Sequence, residues 1–409
     1  MNNKYNISDK YFIVWSFFIP ISSWVISPSI KGSLVSYILA FLSFFIVFFF
    51  RKDILKKYIL DMTKIVWFLL FFALISQLAN AIYNINLYNI VLVNSEDFSD
   101  KIFRSSLITQ SIYLIPVILT FLYVKYLYKP SWDKWIIYSG LVFVLYGFYK
   151  WLGFLITGAD IDFITNRTFG DADTVLYQYQ GMMVAGMALQ RFQSLTGEPS
   201  MFAFTILPYF IFAIHRKANN IIIVIMGLSI LLSVSITAYL GLLIYMIYIL
   251  INSKKGKKFF KVLIGLIIVF LLLYGVLFIY IDDVINNMIL NKADSASGIA
   301  RSNDFWNNIN YFLDLDIMHN LFGIGFGYMR SADLFTTLLV NTGILGILSF
   351  AYFYLKDFKL KVRNFIDLGN NSILLVLFII SMVAVSEFSY LSFWLFVAII
   401  RNAKLNDSN

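Results

Sequence analysis

Cysteine is absent from this chain of 409 residues, and histidine occurs twice. The first absence excludes disulfide bonds, thiol catalysis and cysteine-ligated metal sites, and two histidines argue against a histidine-rich metal centre. Charge is also scarce, since 13% of the residues are charged, against about 25% in a soluble domain. No GxxxxGK[ST] phosphate loop is present, so a bound nucleotide is not the expected energy source.

Hydrophobic residues make up 60% of the chain, and its mean hydropathy is +0.78. Apolar runs long enough to cross a bilayer predict an all-α polytopic membrane protein, a single integral membrane domain over residues 1–409. No cleavable signal peptide is expected, because no small-residue cleavage site follows the first run. We expect about twelve spans, near residues 11–28, 33–50, 62–80, 104–127, 133–157, 199–215, 220–235, 237–252, 259–281, 333–355, 372–387 and 389–400.

Basic residues cluster in alternate loops, within residues 51–57, 125–134, 215–217, 254–258 and 356–363. By the positive-inside rule these loops, and both termini, are cytoplasmic. The net charge of +9 therefore indicates membrane topology rather than binding of nucleic acid. Two long outer loops follow, over residues 158–198 and 282–332, so the polar chemistry is expected outside the cytoplasm.

Three segments near the outer face stand out. Residues 221–251 and 372–400 are each interrupted once by polar residues, and each predicts a helical hairpin whose tip forms a cavity wall. Glu387 lies at the second tip; an acid near membrane depth indicates either function or a hydrogen bond that holds the tip. Residues 174–192 predict an amphipathic helix along the membrane surface.

The stretch GEPS, residues 197–200, opens the sixth span after an outer loop. Proline suits a first helical turn, so one interpretation is simply a helix start. The other is that Glu198 is a half-buried carboxylate that acts as a general base, because apolar surroundings raise a carboxyl pKa. Arg191 lies seven residues earlier and either flanks the same site or extends toward the lipid headgroups. Ser200 is a substrate-binding candidate beside them.

The second outer loop carries SGIAR at residues 297–301 and HNLFGIGFGYMR at residues 319–330. Gly325 and Gly327 let a backbone approach a ligand closely, and turns of this kind bind anions through N–H groups. Arg301 and Arg330 bracket the turn, and arginine suits forked recognition of phosphate. His319 is a substrate-binding candidate, although a locally hydrogen-bonded loop histidine is the simpler interpretation.

These motifs resemble the O-antigen polymerases (Wzy-type) of bacterial surface-polysaccharide assembly, in the same superfamily as the O-antigen ligases. The resemblance rests on R-x5-GEPS at the start of a span, on the S-G-x-x-R…W…N-x-x-G-x-G-x-G block, and on the SVSITAYLG turn. It covers most of residues 165–350 and the number of spans.

The resemblance implies a GT-C-like membrane glycosyltransferase fold in the bacterial inner membrane. It implies metal-independent and cofactor-free polymerisation of polyprenyl diphosphate-linked oligosaccharide units into O-antigen or a related surface polysaccharide. Donor and acceptor lipids, the surrounding membrane lipids and a protein that limits chain length are the implied partners. In this scheme Arg191, Arg301 and Arg330 hold the leaving diphosphate, and Glu198 activates the attacking hydroxyl.

Two alternatives stay open. The ligase branch carries a histidine just before the tenth span, where this chain has Ser331, Ala332 and Asp333. That departure weakens the reading as a ligase that transfers glycan to lipid A core, and leaves Asp333 as a second candidate base or substrate contact. A flippase or transporter of lipid-linked sugars would also have about twelve spans, but no convincing internal repeat is present.

Overall fold

The computed structural model describes residues 5–27, 30, 32–93, 99, 101–164, 166–167, 181–184, 187–252, 296–362 and 364–407. Most of them are helical. The elements, in chain order, are α1 (Ile7–Ser16), α2 (Val35–Phe50), α3 (Lys52–Ile82), α4 (Ser105–Leu127), α5 (Asp133–Thr157), β1 (Gly181–Val184), β2 (Met187–Gln190), α6 (Pro199–His215), α7 (Asn220–Leu232), α8 (Ile236–Asn252), α9 (Ala296–Leu313), α10 (Ile317–Phe322), α11 (Leu334–Leu355), α12 (Phe365–Ala384) and α13 (Leu391–Asp407).

Five stretches of this part of the chain are long and apolar enough to cross a membrane: α3, α4, α5 with the single 3-10 turn that precedes it, α11 and α12. Many of their large apolar side chains point outward, including Phe71 at 52% exposure and Leu348 at 59%. A soluble protein rarely exposes apolar area on this scale, because it would aggregate in water. The described helices are those of a multi-pass membrane protein. The predicted span 259–281 and the basic cluster at 254–258 lie outside the described residues.

The basic segments come together at one end of the helices, which we call the basic end. Near the chain's start Asp9 pairs with Lys129 at 2.9 Å, and near its end the Asn402 amide donates to the carbonyl of Lys125 at 2.9 Å. Arg216 pairs with Asp133 at 2.8 Å in the same region. Both described chain ends therefore contact residues of the described basic segments.

The opposite, polar end collects the long connections between helices. Ser23 donates to the carbonyl of Leu195 at 2.8 Å, and Tyr37 donates to that of Ser389 at 2.9 Å. Both predicted hairpins are present. Helices α7 and α8 meet at residues 233–235, and α12 and α13 meet at residues 385–390, each break lying at the polar end.

Helix α11 carries a sharp kink at Gly343, where φ is 67°. The kink interrupts the helical hydrogen-bond ladder, and the carbonyls of Val340 and Asn341 accept instead from the N–H groups of Ile324 and Gly325, at 3.0 and 3.1 Å. Gly323 and Gly343 allow this approach, since a Cβ on either would collide with the other segment's backbone. Residues 323–327, which we call the glycine turn, are thereby joined to α11 as one rigid unit.

Three expectations from sequence differ from the structure. The first span does not continue to residue 28, because α1 ends at Ser16 and turns precede Pro20. Two parts of the predicted amphipathic helix, residues 181–184 and 187–190, form the antiparallel pair β1–β2 instead. The described part of the second outer loop is largely helical, since α9 and α10 lie within it. Helix α9 is polar, so the pattern of apolar runs did not predict it.

Candidate functional site

A cleft of about 340 Å³ opens at the polar end, and we call it the Arg330 cleft. Its walls come from α2, α4, the glycine turn, the start of α11 and the second hairpin tip. Three tyrosines, Tyr37, Tyr113 and Tyr390, line it together with Arg330 and Glu387. The hairpin tip therefore forms a cavity wall, as its broken apolar pattern predicted.

Arg330 donates through Nη2 to Oε1 of Glu387 across this cleft. The arginine side chain is 53% exposed, whereas the glutamate is 15% exposed. The guanidinium therefore remains accessible to a ligand while the carboxylate lies deeper in the wall. Burial raises the pKa of Tyr390, and the negative charge of Glu387 raises it further, so this hydroxyl stays protonated and can donate a hydrogen bond.

The backbone that carries Arg330 is held from both sides. The Asn341 side chain accepts from the N–H of Met329 at 2.9 Å and donates to the carbonyl of the same residue at 2.8 Å. The N–H of Arg330 donates to the carbonyl of Val91 at 3.1 Å. These contacts position the arginine without consuming its guanidinium, as an arginine that receives a ligand requires.

An apolar groove of about 430 Å³ between α3, α4 and α11 adjoins the Arg330 cleft. The two cavities share Phe326, Leu338, Asn341 and Phe388 in their walls. From this junction the groove extends past the phenylalanines of α3 to Lys64 and Phe353, toward the basic end. The arginine in the cleft and the long apolar groove beside it suit an amphipathic molecule with an anionic head group.

Arg191 lies at the first hairpin tip instead, within electrostatic range of Glu198. The Arg191 guanidinium donates to the carbonyls of Ser233 and Val234, at 3.2 and 2.8 Å, and so holds the turn between α7 and α8. Burial lowers the pKa of Arg191, and the negative charge of Glu198 opposes that shift. The two residues that the sequence placed at one site are thus within electrostatic range of each other.

Glu198 is the residue that precedes α6, and its carboxylate accepts from the Ser200 hydroxyl at 3.0 Å. It does not cap the helix, because no backbone N–H of the first turn donates to its side chain. Further along α6, Phe204 lies 6.2 Å from Tyr390, ring centre to ring centre. The start of α6 and the wall of the Arg330 cleft therefore pack against each other.

The remaining candidates lie elsewhere. Arg301 is exposed on α9, and no contact among the described residues joins it to Arg191 or Arg330. Asp333 is buried and caps α11, accepting from the Thr336 N–H at 2.7 Å and from the Ser331 hydroxyl at 2.9 Å. These bonds occupy its carboxylate, so its position is that of a helix cap.

His319 is fully buried behind the protein surface. Its Nδ1 faces Asp316, and its Nε2 lies 2.8 Å from the Asn80 side-chain oxygen. The Asn80 amide nitrogen donates to the carbonyls of Lys101 and Ile324, at 2.9 and 2.8 Å, which fixes its orientation. The histidine links α3, α10 and the glycine turn, and any role in binding is through the residues that it positions.

Gly325 and Gly327 both have positive φ, at 133° and 75°. A Cβ at Gly325 would meet the ring of Tyr328 at 2.7 Å, and one at Gly327 would meet Gln110 at 2.5 Å. The N–H of Gly325 is already bonded to α11, so it is not offered to an anion. Gly327 lines the Arg330 cleft, where its missing side chain leaves room beside Gln110.

Among the described residues, no group of three or more Asp, Glu or His side chains is arranged to hold a metal ion. No protein-family model, curated protein or solved structure matches the chain. The three tyrosines of the cleft escaped sequence reasoning, because they come from helices far apart in the chain and carry no motif. The polar interruption at Ser386-Glu387 was the available signal for this cleft.

Proposed function

We propose that this protein is a membrane glycosyltransferase that binds polyprenyl diphosphate-linked oligosaccharides and joins their glycans. The observation that supports the proposal is that the Arg330 cleft adjoins the apolar groove and shares four wall residues with it. An amphipathic ligand fits this shape: a long hydrocarbon chain occupies the groove and its anionic head lies beside a half-exposed arginine. The membrane would be the inner membrane of a bacterium, with the polar end facing outward.

The cleft supplies the groups that transfer to a sugar hydroxyl requires. Arg330 holds the donor diphosphate, and charge neutralisation by the phosphates releases Glu387 from the arginine. The acceptor hydroxyl attacks the anomeric carbon, the bond from that carbon to the phosphate oxygen breaks, and the electron pair leaves on the diphosphate. Glu387 takes the hydroxyl proton as general base.

Two residues near the first hairpin tip complete the proposal. Glu198, favoured as the base from sequence, is the competing proton acceptor, and Arg191 beside it is a further contact for the diphosphate. Arg301 keeps the same proposed role from α9. Polymerisation, in which a second lipid-linked unit is the acceptor, is the expected outcome, and a partner protein would set the chain length.

The test uses purified protein in lipid nanodiscs with a synthetic polyprenyl diphosphate-linked repeat unit. Products longer than one unit are expected by mass spectrometry, and they should fall sharply in Arg330→Ala and Glu387→Gln. Comparison of Glu198→Gln with Glu387→Gln decides which carboxylate is the base. Replacement of the base should abolish transfer and leave donor binding intact. A ladder that is equally strong in all three variants would refute the assignment of the site.

The matched control is Asp53→Asn, which removes an arginine–carboxylate pair at the basic end, where Arg51 Nε donates to Asp53 at 2.9 Å. It should polymerise as the native protein does. Transport is the alternative that the same preparation tests, by movement of the lipid-linked unit between leaflets without covalent change. The apolar lining of the groove favours a site for the lipid tail, because a sugar head would lack polar partners along it.

A further inference from the structure

A second cleft, of about 590 Å³, lies at the polar end between the start of the 83–93 segment and the far end of α9. Five asparagines, three tyrosines and two aspartates make up ten of its twelve described lining residues, the others being Ile85 and Leu315. None of the twelve carries a positive charge, although Lys101 reaches the Asn84 side chain from outside this set. We call it the asparagine cleft.

The lining of one wall follows from helical spacing. Asn307, Asn310, Tyr311 and Asp314 recur at intervals of three and four residues, which places them on one face of α9 and its C-terminal end. Within the described part of the chain, no hydrogen bond engages the exposed side chains of Asn307 and Asn310. The Tyr311 hydroxyl is buried and has no partner among the described residues. Buried hydroxyls normally have one, so this wall offers polar groups that a ligand can engage.

The facing wall is rigid behind its surface. Tyr83 makes an edge-on contact with His319, ring centres 6.3 Å apart, and Asp316 pairs with the same histidine while it caps α10. The Tyr88 side chain is 60% exposed, so the face of its ring is accessible to a ligand. The buried Asn80 and His319, bonded to each other and to Asp316, therefore support this cleft.

The chemistry of the lining selects the class of ligand. Side-chain amides both donate and accept, carboxylates accept, and tyrosine rings cover apolar C–H faces. A neutral sugar presents that combination of hydroxyl groups and C–H faces. A phosphate or another anion would face two carboxylates with no cation among the described lining residues.

The two clefts are also close along the chain. Asn89 lines the asparagine cleft and Val93 lines the Arg330 cleft, and four residues of chain span at most about 14 Å. The N–H of Val93 donates to the carbonyl of Tyr328 at 3.0 Å, which fixes this connection against the glycine turn. A short oligosaccharide attached to a head group in one cleft can therefore extend into the other.

We propose that the asparagine cleft is a binding site for a neutral oligosaccharide, the glycan part of a lipid-linked substrate. The saccharide site rests on the cleft itself. Its assignment to the substrate glycan rests on the function proposed above.

The test is saturation-transfer NMR on the full-length protein in a detergent without a sugar head group. The probes are trisaccharides of glucose, galactose, mannose and N-acetylglucosamine, with a glucuronate-containing trisaccharide as the anionic comparison. At least one neutral probe should bind, and the anionic one should bind more weakly. Asn310→Ala and Tyr88→Ala should each weaken binding by about 2- to 10-fold, the loss expected for one hydrogen bond or one ring contact. Asn303→Ala, an exposed asparagine about two turns before Asn310 on α9 and outside the cleft lining, is the matched control.

The outcomes separate the two proposals. If no neutral probe binds, or if both variants bind as the native protein does, the saccharide site is refuted even when lipid-linked units are polymerised. If the neutral probes bind and the variants weaken them but no unit is transferred, the site stands and the proposed transferase function fails. Both variants alter exposed side chains, so their melting temperatures should match that of the native protein.

Discussion

Substitution of Glu387 by glutamine should tighten binding of the donor head group while it slows transfer. In the free protein Glu387 competes with a diphosphate for the Arg330 guanidinium. Because that arginine is 53% exposed, the pair resembles a surface ion pair and is worth roughly 0.2–1 kcal/mol. Its removal should therefore tighten diphosphate binding by about 1.5- to 5-fold.

Arg330→Ala should act in the opposite direction. It removes a charged hydrogen-bond donor worth roughly 1.5–3 kcal/mol, so binding should weaken by about 10- to 150-fold. Loss of a general base in Glu387→Gln should lower transfer by about 100-fold or more.

The assay titrates a fluorescent short-chain polyprenyl diphosphate into nanodiscs that contain each variant, and single-turnover transfer is measured in the same discs. Asp53→Asn is the control in both measurements, since it disrupts an arginine–carboxylate pair far from the cleft. Weaker donor binding in Glu387→Gln would refute the competition between carboxylate and diphosphate. Native transfer in that variant would refute its role as the base.

Three further predictions concern stability and are read from thermal unfolding in detergent. Asn80→Leu should destabilise the protein by about 3 kcal/mol, since the Ile324 carbonyl and the buried His319 ring nitrogen are left unsatisfied, whereas the Lys101 carbonyl still accepts from Tyr328. Gly323→Ala should cost more than Gly158→Ala, which has a positive φ of 68° but open space around it and should lose about 1–2 kcal/mol. Burial raises the pKa of Asp162, but Lys150 and Arg167 outweigh this effect and hold the pKa below its usual value. Ionised Asp162 therefore contributes its full stabilisation of the folded protein above the usual carboxyl pKa. This contribution is lost as pH falls through the lowered pKa of the folded state, and Asp162→Asn should remove this pH dependence.

Specific outcomes would contradict these predictions. If Asn80→Leu is as stable as the native protein, the buried amide contributes nothing to stability. If Gly323→Ala and Gly158→Ala lose the same amount of stability, the close backbone contact at the kink adapts to the new Cβ at no cost. Asp304→Asn is the matched control for the acid titration, because no ion pair involving Asp304 is present among the described residues. An acid transition that is unchanged in Asp162→Asn would assign the loss of stability to other carboxylates.

Local signals in the sequence predicted the parts of this structure that depend on short stretches of chain. The polar interruptions near Ser233 and Ser386 predicted both hairpin tips, because a backbone break at membrane depth requires partners nearby. The seven-residue spacing of Arg191 and Glu198 predicted that they lie near each other, and their charges are within electrostatic range.

The composition of the clefts depends on packing between distant segments, and no local pattern encodes it. Arg330 meets Glu387 across 57 residues, and His319 meets Asn80 across 239. A conspicuous GIGFG motif predicted an anion-binding turn, whereas at least two of its N–H groups are bonded to a kinked helix. The kink at Gly343 could not be anticipated, since glycine is also tolerated in straight helices that cross membranes.

The short helix α7 has a consequence for the surrounding lipid. Its 13 residues rise about 20 Å, against roughly 30 Å for the hydrocarbon core of a bilayer. If α7 spans the membrane, the resulting hydrophobic mismatch requires a thinner bilayer beside the first hairpin, or water that enters down to its tip. Arg191, bonded to the carbonyls of that tip, would then lie at a local depression of the membrane surface rather than in hydrocarbon. Acyl-chain length in the host membrane would thus act directly on this part of the protein.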